Sequence, residues 1–362
     1  MRKLLPFLAL TLVIACSSAP TAQPTMPSPT RAAVFMTAGE RLPSGSLVVL
    51  QSGQQRALLP DGRSVALVEP QLGGRGSPNG AFGVALAENS GAFDLALVDY
   101  RQSPPAVRPI PEGRGLRNPV ILWQTDSSGF AFYDLPLSGG LRSQTETLYY
   151  YSVSDNQSRA LLSAEQTAGK RAAALAFSPN GAYLLYSLLG EDAEAIGAQV
   201  GTGYVVNLGA AQPVILPEGA LLGFSGWLGD SSGFLSLHND PQTGRNTLWL
   251  YYLARLGEPK RLTAERDNVI LAASAPDGKQ IALVTRTSEG SSILRVLTLE
   301  DSSLRDLHRL EQGQGFSALF WSAPEAIYFS TSSAEGDRTW RIAPSGDGLA
   351  EIAEGTLRYI VQ

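Results

Sequence analysis

A four-residue turn recurs along this chain at intervals of about fifty residues, which is the period of four-stranded propeller blades. The copies read Ser-Pro-Asn-Gly, Asp-Ser-Ser-Gly or Ala-Pro-Asp-Gly, and the last copy is the degenerate Ser322-Ala323-Pro324-Glu325. Their fourth positions are residues 80, 129, 181, 233, 278 and 325, with spacings of 49, 52, 52, 45 and 47 residues. Pro, Asn or Asp, and Gly suit successive positions of a turn between two strands, with Gly at the residue of positive φ.

Apolar runs on either side of these turns predict the strands of an all-β domain. The 37 Gly and 23 Pro residues, about one residue in six, favour short strands over long helices. Second strands of blades are predicted at 81–87, 130–133, 182–188, 234–237, 280–285 and 326–330. Third strands follow at 93–99, 147–153, 204–208, 247–253, 293–299 and 339–342, and fourth strands at 159–162, 213–216 and 260–263. Many runs are apolar on both faces, as expected for sheets packed between neighbours.

Two of the turns lie in longer segments that carry a family resemblance. Residues 177–187 read FSPNGAYLLYS and residues 274–284 read SAPDGKQIALV. These segments resemble the repeated box of TolB-type, WD-repeat-like propellers, and the resemblance covers residues from about 45 to 355. It implies a β-propeller, but it implies little about activity, because the box is a turn and not a site.

The number of blades follows from the strands that the six repeats leave over. Strand-like segments remain at 46–50 and 56–59 before the first repeat, and at 357–361 after the last. Unpaired strand edges invite aggregation, so we expect both ends of the chain to pair in a closing blade. The sequence therefore favours seven blades, with six as the alternative.

The N-terminal residues indicate export and a lipid anchor. A basic start, Met1-Arg2-Lys3, precedes an apolar run at 4–14 that is too short to span a bilayer. Val13-Ile14-Ala15-Cys16 resembles the lipobox of bacterial lipoproteins, which implies a diacylglyceryl group on Cys16 and two acyl chains for stable anchoring. We expect a signal peptide at 1–15, the lipidated Cys16 with a Pro/Ser/Thr-rich tether at 16–34, and the propeller at 35–362. The alternative is an ordinary secretory signal cleaved a few residues later.

Composition excludes several classes of function. A net charge of −5 and a pI of about 5.3 argue against nucleic acid as a partner. Cys16 is the only cysteine, so a mature domain has no disulfide and no thiolate metal site. The chain has two histidines and no G-x-S-x-G motif, so we expect no hydrolase triad, no cofactor and no metal. We expect His308 to lie on a polar outer strand.

Candidate binding residues lie in the longest loops between second and third strands, at 136–146, 190–203 and 239–246, because excess loop length on one face of a propeller is where binding specificity tends to lie. The candidates are Glu191, Asp192, Glu194, His238, Asp240 and Arg245. Alternatively, the acidic loop keeps the surface soluble and His238 is an ordinary exposed histidine. Trp123, Trp227 and Trp321 recur just before turns and are predicted to pack between blades.

The sequence thus predicts a membrane-anchored, extracytoplasmic, non-enzymatic binding or scaffold module. Its rim loops or central funnel would bind a protein or a cell-envelope component. The alternative is a metal-dependent small-molecule hydrolase or lactonase with a site in the funnel. A third hypothesis is a surface spacer.

Overall fold

The computed structural model describes residues 34–35, 42–67, 75–134, 147–162, 164–167, 170–189, 201–210 and 212–360. Within these ranges the chain forms seven sheets, six with four strands and one with five, which are the blades of a propeller. The predicted all-β propeller with seven blades is confirmed. The predicted signal peptide, Cys16 and most of the tether lie outside the described residues.

Each blade is one sheet, and its strands have the following bounds. Blade 1 contains β1 (Val34–Phe35), β2 (Leu47–Gln51), β3 (Gln54–Leu58) and β4 (Ser64–Ala66). Blade 2 contains β5 (Arg75–Gly76), β6 (Phe82–Asn89), β7 (Ala92–Asp99) and β8 (Ala106–Pro109), and blade 3 contains β9 (Pro119–Trp123), β10 (Gly129–Asp134), β11 (Leu148–Ser152) and β12 (Gln157–Leu162). Blade 4 contains β13 (Arg171–Phe177), β14 (Tyr183–Leu189), β15 (Gly201–Asn207) and β16 (Pro213–Ile215), and blade 5 contains β17 (Phe224–Trp227), β18 (Gly233–Asn239), β19 (Asn246–Tyr252) and β20 (Lys260–Arg261). Blade 6 contains β21 (Val269–Ser274), β22 (Gln280–Arg286), β23 (Ser292–Thr298) and β24 (Leu304–Leu310), and blade 7 contains β25 (Gly315–Ala323), β26 (Ala326–Ser333), β27 (Gly336–Ile342) and β28 (Ala350–Glu354).

The last strand, β29 (Thr356–Ile360), closes the ring by joining blade 1. It pairs antiparallel with β2, from Leu47 opposite Ile360 to Leu50 opposite Thr356. The order in this sheet is β1-β4-β3-β2-β29, with β1 added parallel to β4. In the other blades the strands follow chain order, and we call the first strand of each, together with β29, the inner strand. The predicted closure by both ends of the chain is confirmed.

Helical structure is limited to short connections. The described residues include one α-helical turn, α1 (Ala164–Thr167), and the 3₁₀ turns Pro111–Gly113, Leu253–Arg255 and Glu265–Asp267. In the described part of the chain, no helix has the length and apolar character needed to cross a bilayer.

Five of the six predicted turns share one hydrogen-bond pattern. In the first, the N–H of Ser77 donates to the carbonyl of Phe82 and the N–H of Gly80 donates to the carbonyl of Ser77. The Asn79 side chain accepts the N–H of Ala81 at 3.0 Å, and Gly80 has a φ of 72°. An Asn or Asp at this position therefore closes the turn, and the residue after it is left-handed.

The two Asp-Ser-Ser-Gly turns are offset by two residues from the predicted alignment. Asp126 accepts the N–H of Ser128 at 2.9 Å and so takes the place of the Asn of the first turn. The left-handed residue is the serine that follows the aspartate. It is Ser127 in one copy and Ser231 in the other, each with a φ of 63°. The prediction that Gly129 and Gly233 supply the positive φ of these turns is therefore wrong.

These two glycines open the following strands, where a side chain would collide with the neighbouring strand. A Cβ on Gly129 would lie 2.6 Å from the carbonyl oxygen of Tyr151, and one on Gly233 would lie 2.3 Å from that of Tyr251. The degenerate turn also differs from the rest. Ala323 pairs directly with Ala326, so blade 7 turns through two residues only.

The core lies between the blades, so most sheets are buried on both faces. Between blades 4 and 5, for example, Leu185 and Val205 pack with Phe234 and Tyr251. Other clusters join blades 2 and 3, 3 and 4, 5 and 6, 6 and 7, and 7 and 1. The predicted burial of both faces is confirmed.

Two further predictions from the sequence concern single side chains. Trp227 and Trp321 are 8% and 6% exposed and pack in the clusters between blades, and Trp123 packs against Phe130 with ring centroids 4.7 Å apart. His308 lies on β24, the outer strand of blade 6, as predicted, and its ring lies 5.8 Å from that of Phe329.

Candidate functional site

A cavity of about 660 Å³ lies where the inner strands of blades 5, 6 and 7 reach their turns. Its wall includes Ser225 and Trp227 of β17, Ala273 of β21, and Phe320 and Trp321 of β25. Ser44 and Gly45 before β2 and Ile360 of β29 complete it on the side of blade 1. The cavity therefore forms the mouth of the central channel on the face that carries the turns, and we call it the channel mouth.

A small residue in blade 6 opens the channel mouth. The residue just before the turn is aromatic in blades 3, 4 and 5, where it is Trp123, Phe177 and Trp227, and in blade 7 the corresponding Trp321 lies two residues before the end of β25. In blade 6 this residue is Ser274, whose hydroxyl accepts the N–H of Gly229 at 3.1 Å. A serine fills much less volume than an indole or a phenyl ring, so space remains between blades 5 and 7.

The degenerate turn of blade 7 leaves the same region uncovered. Side-chain hydrogen bonds join the turns of neighbouring blades into a belt. The links are Asn79 N–H to Ser127 Oγ at 3.2 Å, Gln124 Nε2 to the Gly181 carbonyl at 2.9 Å, Asn180 N–H to Ser231 Oγ at 3.1 Å, and Gly229 N–H to Ser274 Oγ at 3.1 Å. Among the described residues the belt runs from blade 2 to blade 6, and no link reaches the two-residue turn of blade 7.

The channel mouth is apolar and aromatic. Phe320, Tyr328 and two tryptophans contribute rings, and Leu319, Ile360, prolines and alanines contribute aliphatic surface. No Asp, Glu, His, Lys, Arg or Cys lines it. Such a wall suits an uncharged ligand, and it provides no side chain that could act as a general base or bind a metal.

The two tryptophans of the channel mouth differ in hydrogen bonding. Trp227 Nε1 donates to the carbonyl of Ala176 in blade 4, at 3.4 Å. The buried Nε1 of Trp321 has no hydrogen-bond partner in the described part of the chain. The first indole therefore links two blades by a polar contact, whereas the second contributes packing alone.

The predicted binding loop at 239–246 lies at the opposite end of blade 5 from its turn. Asp240 organises this loop, because its carboxylate accepts the N–H of Gln242 at 2.9 Å and the hydroxyl of Thr243 at 2.8 Å. These hydrogen bonds lower the pKa of Asp240. The N–H of Asp240 also donates to the carbonyl of Arg245, which closes the loop. Asp240 thus has a local role in the turn, and ligand binding by this loop stays a prediction.

His238 lies where β18 enters this loop, and it is half-buried against two aromatic residues. Its Nε2 is 3.0 Å from the hydroxyl of Tyr251, and its ring stacks on Trp249 with centroids 5.2 Å apart. Burial lowers the pKa of His238, so the neutral imidazole is favoured at pH 7. The structure therefore places His238 in a packed aromatic cluster rather than on an open loop.

The other predicted candidates lie outside the described residues. These are Cys16, Glu191, Asp192 and Glu194, together with the loop at 136–146. In the part that the structure describes, no three His, Cys, Asp or Glu side chains come together in a way that could hold a metal ion.

Sequence reasoning missed the channel mouth, although two signals of it were present. The degenerate turn at Ser322-Ala323-Pro324-Glu325 was visible, and Ser274 stands where four other repeats have an aromatic residue. The second signal appears only when the repeats are aligned on the aspartate or asparagine of the turn.

Radially arranged four-stranded sheets define this chain as a β-propeller, and solved structures share that fold. A prolyl endopeptidase structure matches with a TM-score of 0.59 and 15% identity over 89% of this chain and 52% of the other, so this chain spans about half the length of that protein. TolB from Acinetobacter baumannii matches with a TM-score of 0.43 and 15% identity over 86% of this chain and 80% of the other. At 15% identity, the match to the prolyl endopeptidase structure indicates the fold alone. No family profile and no curated protein matches the sequence.

Proposed function

We propose that this protein is a non-enzymatic binding module of the cell envelope whose channel mouth binds a segment of a partner protein. The observation that carries the proposal is the open, uncharged, aromatic cavity of about 660 Å³ at one end of the channel. Concave apolar sites with aromatic walls are typical binding sites. The belt of hydrogen bonds joins the turns of blades 2 to 6 and does not reach the turn of blade 7, which borders this cavity.

The chemistry of the site favours an apolar chain segment over a charged ligand. The channel mouth has no charged and no amide side chain, and its side-chain polar groups are four serine hydroxyls and the hydroxyl of Tyr328, besides the indole N–H groups. An apolar segment of protein would bury surface against Trp227, Phe320 and Tyr328. Burial of apolar surface would then provide the main driving force for binding.

We propose further that Cys16 carries a lipid that holds the domain at a membrane outside the cytoplasm. The support is the apolar run at 4–14 followed by Val13-Ile14-Ala15-Cys16. In the full chain, Cys16→Ser should move the protein from the detergent phase to the aqueous phase in phase partitioning, and should abolish labelling by an alkyne fatty acid. A Ser18→Ala variant is the control. Retention of Cys16→Ser in the detergent phase would refute the anchor.

A photocrosslinking amino acid at Ser322 tests the binding function in the intact protein in cells. Ser322 lines the channel mouth, and the exposed Ala334, in the turn between β26 and β27 at the other end of blade 7, is the matched control position. We expect a discrete protein adduct from Ser322 that is absent from Ala334.

The adduct must also depend on the cavity. Ala273 lines the channel mouth, whereas Ala176, two residues before the turn of blade 4 as Ala273 is in blade 6, does not. Ala273→Phe should remove the adduct, and Ala176→Phe should leave it. Equal adducts at both crosslinking positions, no adduct at either, or an adduct that persists in a folded Ala273→Phe variant would each refute the proposal.

A further inference from the structure

The inner strand of each blade is a sheet edge, so half of its backbone N–H and C=O groups have no partner within the sheet. Neighbouring blades satisfy several of these groups with side chains. In β13 the carbonyl of Ala176 accepts Trp227 Nε1 and that of Ala174 accepts the hydroxyl of Tyr133, each at 3.4 Å. In β21 the carbonyl of Ala272 accepts the hydroxyl of Ser225 at 3.1 Å.

Other inner edges receive no such bond in the described part of the chain, among them those of β17 and β25. Of these, β25 is the longest inner strand, with nine residues, and its residues Leu319–Ala323 line the channel mouth. Within the described residues, no side chain or backbone group outside blade 7 bonds to the backbone of this stretch. The pairing with β26 also shifts between Phe320 and Ala323, which leaves the main chain of Trp321 and Ser322 partly unpaired.

An unpaired strand edge inside a cavity is a template for an added strand. The stretch of β25 that lines the channel mouth is five residues long, which corresponds to about 17 Å of extended chain at about 3.4 Å per residue. Main-chain groups along this length recognise another backbone whatever its sequence, whereas the wall determines which side chains fit. Because the wall has no charged residue, a charged side chain buried there would lose its hydration without compensation.

We propose that the inner edge of β25 takes up an extended, uncharged segment of a partner protein as an added β-strand. This inference rests on the proposed function, and it adds the conformation and chemistry of the ligand. Alternate residues of the segment would exchange N–H···O=C bonds with β25. The side chains of the segment would meet Trp227 on one side and Tyr328 on the other.

The test uses a display library of linear ten-residue peptides selected on the folded domain, with Ala273→Phe as the counter-selection. We expect enriched peptides to be depleted of Asp, Glu, Lys and Arg over about five consecutive positions. Synthetic copies are then methylated at one backbone nitrogen at a time, which removes one main-chain donor per peptide.

Methylation should weaken binding at every second position, by about fivefold or more where the N–H donates to β25 and much less at the positions between. A flat or irregular methylation profile would overturn strand addition while leaving the binding function in place. Selection of highly charged peptides would overturn the proposed ligand chemistry. If no peptide is enriched over the counter-selection, strand addition is wrong, and the crosslinking experiment decides separately whether the channel mouth binds any protein.

Discussion

A buried chain of hydrogen bonds secures the closing strand β29 against blade 7, and Ser330 lies at its centre. The N–H of Leu357 donates to Ser330 Oγ at 2.8 Å, and Thr339 Oγ1 donates to the carbonyl of Gly355 at 2.7 Å. The two hydroxyl oxygens are 3.0 Å apart. Since the Thr339 hydroxyl donates to the Gly355 carbonyl, the Ser330 hydroxyl must donate to Thr339 Oγ1. The direction of every hydrogen bond in this series is therefore determined.

Truncation of Ser330 to alanine removes two of these bonds at once. Ser330 is 0% exposed and Leu357 is 1% exposed, so water cannot replace the lost partner of the Leu357 N–H. An orphaned buried donor costs about 1–3 kcal/mol, and the lost acceptor contact on Thr339 adds about 1 kcal/mol. We therefore expect Ser330→Ala to lower the free energy of unfolding by about 2–4 kcal/mol.

Urea unfolding followed by tryptophan fluorescence measures this loss. Ser332→Ala is the matched control, because Ser332 lies two residues further along the same strand, is only half-buried, and makes no hydrogen bond through its side chain among the described residues. The control should change stability by less than about 0.5 kcal/mol. Amide exchange at Leu357 should accelerate in Ser330→Ala and not in the control. Equal stabilities of the two variants would refute the assigned network.

Two further predictions concern close packing and pH. Gly233→Ala should destabilise the domain by several kcal/mol in the same assay, because the new Cβ would lie 2.3 Å from the Tyr251 carbonyl oxygen. Gly257→Ala is the control and should have little effect, because the space around Gly257 is open. Similar losses of stability in the two variants would contradict this account. Burial lowers the pKa of both His238 and His308 in the folded protein below the value of about 6.5 that a histidine has in the unfolded chain. As the pH drops from 7.5 to 5.5, the unfolded chain therefore binds more protons than the folded protein, and the free energy of unfolding should fall. The double variant His238→Gln/His308→Gln should flatten this dependence, and an unchanged slope would refute it.

The sequence predicted the blades well because their turns combine residue types that few other structures need. A left-handed residue after an Asn or Asp restricts the local choice, and the repeat supplied that pattern at least five times. The closing blade followed from counting strands, since the segments at both ends had no partner other than each other. These conclusions depended on local rules and on one global requirement, that the strands at both ends of the chain find a partner.

The two-residue offset at the Asp-Ser-Ser-Gly turns shows where local rules fail. Glycine is the residue that most often adopts a positive φ, so the sequence predicted the left-handed conformation at Gly129 and Gly233. The structure uses these glycines for close approach to the neighbouring strand and places serines in the left-handed conformation. Ser127 is tolerated there because its hydroxyl accepts an N–H from the turn of the preceding blade. That contact spans 48 residues and belongs to the assembled ring.

The channel mouth was hidden from the sequence for a related reason. A repeat protein is usually interpreted through what its units share, whereas this cavity comes from two positions where a unit departs from the others. Ser274 replaces an aromatic residue in blade 6, and the turn of blade 7 lacks the residues that would link it to its neighbours. The two departures lie in neighbouring blades of the ring, and residues of both, Ser274 and Ala323, line the same cavity. A comparison of each repeat with its neighbour in the ring, rather than with the consensus of all repeats, is therefore what would locate such a cavity from sequence.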